Sequence, residues 1–230
     1  MFLMLLVFGL TALISLAASL HVKSMYKRYS QVGASSGATG AEVASAILQR
    51  AGIHDVEIFE HDEMLGDHYD PTNKRLVLSS QNYHGRSLAA IGVAAHECGH
   101  AIQHQIAYAP LSWRMASIGA VNFVNPILPF LPFLAFAHIL SWHFVLLGMA
   151  IGTGGLMLFS LITLPVEFDA SNRAKAILQG MGFIGTPEEL HGVKSVLDAA
   201  GWTYVAAFLI ALIQFLYYLL PLILGGRSRD

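Results

Sequence analysis

Residues 2–20 carry no Asp, Glu, Lys or Arg, and neither do residues 116–137, 141–164 or 203–224. A helix rises about 1.5 Å per residue, so a run of about 20 apolar residues crosses the roughly 30 Å hydrocarbon layer of a bilayer. Such blocks constrain the chain severely, because lipid satisfies no backbone N–H or C=O and only helices or closed barrels can cross it. Runs this long and unalternating read as helices. The expectation is a mainly α membrane protein with four transmembrane helices over residues 2–20, 116–137, 141–164 and 203–224. Composition agrees, with 55% hydrophobic and 12% charged residues and a mean hydropathy of +0.56. Ala17-Ala18-Ser19 could be a cleavage site, but no basic residue precedes the first apolar run, so a retained helix is expected over a signal peptide. Pro126, Pro129 and Pro132 must kink the second span. Gly148 and Gly152 in the third form a small-xxx-small pair that suits close helix packing; no strand precedes them, as a phosphate loop would need.

Polar chain fills the remainder, over 21–115 and 165–202. Thr39 to Arg50 has the spacing of an amphipathic helix, with Gly52 beyond its end. Val56–Phe59 and Arg75–Ser79 read as strands, with a turn signal at Asp70-Pro71-Thr72-Asn73. A small sheet is therefore expected, whose edge could pair with an extended peptide. Thr186-Pro187-Glu188-Glu189 is a capping box opening a helix expected to reach about Ala200. A net charge of −2 gives no basic face for nucleic acid.

Within the first polar segment lies His96-Glu97-Cys98-Gly99-His100. No proline interrupts the chain from Arg86 to about Ile106, so a helix is expected there. Residues four apart share a helical face, so His96 and His100 aim two imidazoles at one point while Glu97 flanks it. Two imidazoles and a nearby carboxylate suit one catalytic Zn²⁺ with a reactive water, whose proton the glutamate takes. Cys98, the single cysteine, excludes an internal disulfide and a multi-cysteine metal site, and reads as a packing residue. His54, His61, His68 and His84 lack a helical partner four residues on and are not expected as ligands. His104 shares the face of His100 but lies a turn further on.

Four crossings put 21–115 and 165–202 on the same side of the bilayer. Two of them lie between His100 and Glu167, so a carboxylate of the second segment can return to the histidines. All Lys and Arg except Arg227 and Arg229 fall in these two segments, which predicts that the site faces the cytoplasm.

Several blocks resemble bacterial membrane zinc metallopeptidases of the YugP type, more distantly those of the HtpX and CAAX-processing types. They are Asp67-His68-Tyr69-Asp70-Pro71, Leu78-Ser79, Val93 to His104, Glu167 to Ala174 and Thr203 to Ala207. The resemblance covers most of the chain. It implies His96, His100 and Glu167 as zinc ligands, Glu97 as general base, and a small α+β zincin-like domain that forms, with the four spans, one integral-membrane metallopeptidase. In the HtpX-type pattern an aspartate four residues after the ligand glutamate supports a ligand histidine; here that position is Ser171, with Asp169 nearby. A common ion requires the Glu167 carboxylate within about 6 Å of the imidazoles, since each bond is only roughly 2 Å long.

The expected function is zinc-dependent hydrolysis of peptide bonds in a peptide or protein, membrane proteins included, at the bacterial cell membrane. His191, Arg173 and Tyr69 are polar candidates for stabilising the oxyanion, and Asp169 for supporting a ligand. The alternative is a catalytically inactive zinc-binding scaffold or adaptor, but a structural zinc site has no use for the extra carboxylate of Glu97. A metal transporter would place ionisable residues inside its spans.

Overall fold

The computed structural model describes residues 2–62 and 66–225. Eight α-helices and a three-stranded sheet are found among them. In order they are α1 (Phe2–Tyr29), α2 (Gly40–Arg50), β1 (Glu57–His61), β2 (His68–Asp70), β3 (Arg75–Ser79), α3 (Ser80–Tyr83), α4 (Leu88–Gln105), α5 (Ala109–Val124), α6 (Leu131–Phe136), α7 (Trp142–Gly180) and α8 (Pro187–Gly225). The described helices include four long and apolar enough to cross a membrane: Phe2–Tyr29, Ala109–Phe136, Trp142–Gly180 and Pro187–Leu224. The C-terminal Arg227 and Arg229 of the charge argument lie outside the described residues.

Two compact units divide the chain. The first comprises Met1–Ala18, Trp113–Leu164 and Thr203–Asp230. Its second apolar run breaks after Val124, passes through a 3₁₀ turn at Leu128–Phe130 and resumes as α6, as the spacing of Pro126, Pro129 and Pro132 requires. Gly152 and Gly154 of α7 serve packing: a Cβ on Gly152 would stand 2.3 Å from Leu128 Cδ2, and one on Gly154 would stand 3.0 Å from Phe215. Outward faces carry large apolar side chains, among them Phe123, Phe133, Phe136 and Ile151, all exposed.

The second unit comprises Ser19–Ser112 and Pro165–Trp202 and has the larger core. Thr39 caps α2 through a reciprocal capping box with Glu42, and Val43, Ala44, Ile47 and Leu48 form its buried face. The sheet order is β1-β3-β2, with β1 parallel and β2 antiparallel to β3. Asp70 closes the β2–β3 turn by accepting from the N–H groups of Thr72 and Asn73. Ser87 caps α4 by accepting from Ala90 N–H. Leu88, Ile91, Ala94, Ala95 and Cys98 of α4 then pack among Leu76 and Leu78 of β3, Leu178 of α7 and Val193 of α8. Each large aliphatic side chain fully buried here contributes roughly 1.5–3 kcal/mol.

Two kinds of feature depart from expectation. β2 is a strand only three residues long, which the sequence does not signal. The apolar runs also belong to longer helices: α1 continues past residue 20 to Tyr29, α5 begins at Ala109, α7 continues through Pro165 to Gly180, and α8 is unbroken from Pro187 through the position where a separate span was expected to start. The return of charge ends an apolar run without ending a helix, because Asp, Arg and Lys keep helical geometry at little cost.

Helices α4 and α7 approach closely at Gly99, where an added Cβ would stand 2.8 Å from the carbonyl oxygen of Ala170 and 3.0 Å from its Cα. Backbone cannot yield as a flexible side chain can. Gly99→Ala therefore forces the helices apart, with a stability loss of about 1–3 kcal/mol. Thermal melting in detergent should show a lower Tm than wild type, and an unchanged Tm would mean that the contact is not tight.

Candidate metal centre

The spacing of His96 and His100 places their rings side by side on α4, with centroids 4.7 Å apart and planes at 82°. Helix α7, held close by Gly99, brings Glu167 to them. Its Oε2 lies 3.3 Å from His96 Nε2 and 3.7 Å from His100 Nε2. Among the described residues, these three side chains form a group whose donor atoms all lie within 4.8 Å of one another. A tetrahedral ion with bonds of about 2.0–2.1 Å spaces its ligand atoms about 3.3 Å apart, so both the spacing and the two-imidazole, one-carboxylate donor set fit zinc.

Glu167 is 2% exposed, and a carboxylate taken so far from water needs positive charge beside it. Burial alone would push the His100 imidazole below its usual value. The hydrogen bond and charge of Glu167, with the charge of Glu97, outweigh that and raise it. The site is built to hold positive charge.

The far nitrogens of both rings are engaged as well. Ser171 Oγ lies 3.1 Å from His96 Nδ1, and Gln103 Oε1 lies 3.0 Å from His100 Nδ1. Ser171, and not Asp169, is thus the residue in contact with the far nitrogen of His96. Asp169 touches neither imidazole; it accepts from Gln103 Nε2 at 2.8 Å and from Arg173 Nε at 2.6 Å. Sequence reasoning passed over Gln103. Its signal was there, a polar residue three positions after a ligand candidate and so on the same helical face.

Glu97 is buried, and one of its carboxylate oxygens accepts from the backbone N–H of Tyr69 at 3.0 Å. Tyr69 belongs to β2, an edge strand, so the carboxylate is held by a backbone group turned away from β3. The Tyr69 hydroxyl lies 2.9 Å from His104 Nδ1. Both border a cavity of about 430 Å³ that His54, Asp55 and Lys74 also line. Burial, with the charges of Asp55 and Asp70, pushes the Tyr69 phenol up, which keeps it protonated as a donor. Arg173 is committed to Asp169, and His191 lines a different cavity beside His21 and Lys194. Of the other histidines, His68 meets the Gly66 carbonyl and His84 pairs with Glu60. Neither these two nor His54 and His61 are among the three that converge.

Cys98 is fully buried, with its thiol 3.6 Å from the Ala44 carbonyl, and burial pushes its pKa up. A buried neutral thiol is a poor nucleophile. Maleimide should leave the folded protein unlabelled and label it after denaturation; labelling of the native protein at the unfolded rate would contradict the packing role.

A family model described as "putative neutral zinc metallopeptidase" matches residues 3–223. The chain is also 44% identical over 224 residues to the "putative membrane protease YugP" of Bacillus subtilis (strain 168), covering 94% of this chain and 95% of that protein. No solved structure matches.

Proposed function

Because the chain belongs to the family described as "putative neutral zinc metallopeptidase", we propose that it is an integral-membrane endopeptidase that hydrolyses peptide bonds with zinc held by His96, His100 and Glu167. The observation that carries this reading is the Glu167 carboxylate at 3.3 and 3.7 Å from the two Nε2 atoms, beside a carboxylate, that of Glu97, outside the ligand set. Bound there, zinc supplies a Lewis acid that polarises a carbonyl and lowers the pKa of water to about 7.

The chain's own residues do the rest. Glu97 takes the proton from the attacking water and delivers it to the leaving amine. The Tyr69 N–H holds that carboxylate in place. An edge of the small sheet receives the substrate as an added strand, since main-chain pairing accepts varied sequences. The Tyr69 hydroxyl serves as a donor to the developing oxyanion. Together the polar unit makes a zincin-like domain around the α4 helix.

The four long apolar helices lie in the bilayer, where their exposed Phe, Leu and Ile side chains meet lipid. Both polar segments face the cytoplasm by the distribution of Lys and Arg. Purified protein should carry one zinc per chain, cleave a casein-type or membrane-protein substrate, and lose that cleavage on chelation and regain it on zinc addition. A protein that takes up zinc but cleaves neither substrate would favour the scaffold.

A further inference from the structure

Gln103 is fully buried, an expensive position for an amide unless every polar atom is used. Its Nε2 lies 2.8 Å from the Val166 carbonyl oxygen and 2.8 Å from Asp169 Oδ2. A carbonyl oxygen can only accept, and so can the ionised Asp169 carboxylate, which Arg173 grips at 2.6 Å. Both hydrogens of the amide are thereby consumed. Turning the amide over would set its oxygen against two acceptors, so the atom facing His100 must be the oxygen.

The consequence passes to the ring. An oxygen 3.0 Å from His100 Nδ1 demands a hydrogen on that nitrogen. A neutral imidazole with Nδ1 protonated has its lone pair on Nε2, the atom turned toward Glu167. His96 has no such constraint, because the Ser171 hydroxyl can rotate to donate or to accept. We infer that Gln103, locked by Val166 O and Asp169, is the positioning residue that selects the metal-binding tautomer of His100. The inference rests on the proposed zinc site. It adds a relay, Arg173–Asp169–Gln103–His100, reaching from the half-exposed Arg173 side chain to the ion. Val166 precedes Glu167 in sequence, so the same amide ties α4 to the backbone that carries the third ligand.

The test is zinc affinity of the full-length protein in detergent, measured by competition with a chromogenic chelator, with the visible spectrum of the cobalt(II)-loaded protein beside it. Gln103→Met preserves length and removes the acceptor; affinity should fall about 10–100-fold and the cobalt bands should shift, as for loss of a partner behind a ligand histidine. The double variant Gln103→Glu, Asp169→Asn restores an acceptor for His100 and a donor at 169, although that donor replaces the Asp169 Oδ2 that Arg173 Nε also uses and a carboxylate oxygen now opposes Val166 O. Its zinc affinity should lie between that of Gln103→Met and that of wild type, with cobalt bands closer to those of wild type. A merely structural amide would leave the double variant no tighter than Gln103→Met, and that result, or wild-type affinity in Gln103→Met, overturns the inference. If Gln103→Met does not fold, Asp169→Ala decides: zinc affinity reduced severalfold at unchanged Tm supports the relay, and unchanged affinity overturns it. Absence of zinc from the wild-type protein would instead refute the proposed site.

Discussion

Glu97→Gln should reduce peptide hydrolysis by about 10²–10⁴-fold, the usual contribution of a positioned general base, and leave zinc content unchanged. Glutamine has the same length and offers an oxygen to the Tyr69 N–H that now holds the carboxylate, so the local fold loses nothing obvious. What it lacks is basicity. The deficit should appear in kcat, with KM nearly constant, because main-chain pairing of the substrate with the sheet does not involve the lost charge. Zinc by mass spectrometry should remain at one per chain. Turnover at the wild-type rate would remove Glu97 from the mechanism. Parallel loss of zinc and activity would instead make it a ligand.

The parts of the site differ in how legible they were, and the physical reasons are separate. His96 and His100 could be placed together because helical spacing is local, and no proline or glycine pair disturbed the stretch around them. Their meeting with Glu167 depends on how α4 meets α7. Counting crossings showed only that the carboxylate could return, and the resemblance suggested that it does. Gly99 is the residue that makes the approach close, and glycine in a helix carries no sign of which backbone it will touch. Gln103 was passed over for a related reason: its spacing from His100 was legible, but a polar residue in a helix reads as solvent-facing until a partner on another helix is seen to bury it. Strand β2 was too short for alternation to register, yet it supplies the N–H that orients Glu97. The long helices were divided too finely because hydropathy marks where lipid-like composition stops and not where the helical backbone ends; α7 runs on through Pro165 and α8 through Trp202.

Glu167→Gln should abolish zinc binding under conditions that saturate the wild type, a larger loss than the about 10–100-fold expected for a residue behind the ligands. The change is nearly isosteric, so the packing of α7 against α4 survives and the effect isolates the charge. An amide oxygen is a weak donor to zinc, and two neutral imidazoles offer nothing to balance the ion in a site this buried. Thermal melting exposes the difference without any substrate. Zinc at about 1,000 times its Kd stabilises the wild-type fold by about 4 kcal/mol through binding alone, which should raise its Tm by several degrees. The variant should melt at one temperature with or without zinc. If zinc stabilises both proteins equally, the ion sits elsewhere, and the convergence of Oε2 on the two Nε2 atoms is only a hydrogen-bonded cluster of imidazole and carboxylate. If the variant instead fails to fold at any zinc concentration, Glu167→Asp separates the two roles. It keeps the charge but withdraws it by one methylene, so it should fold, bind zinc more weakly than wild type and show a smaller zinc-dependent shift.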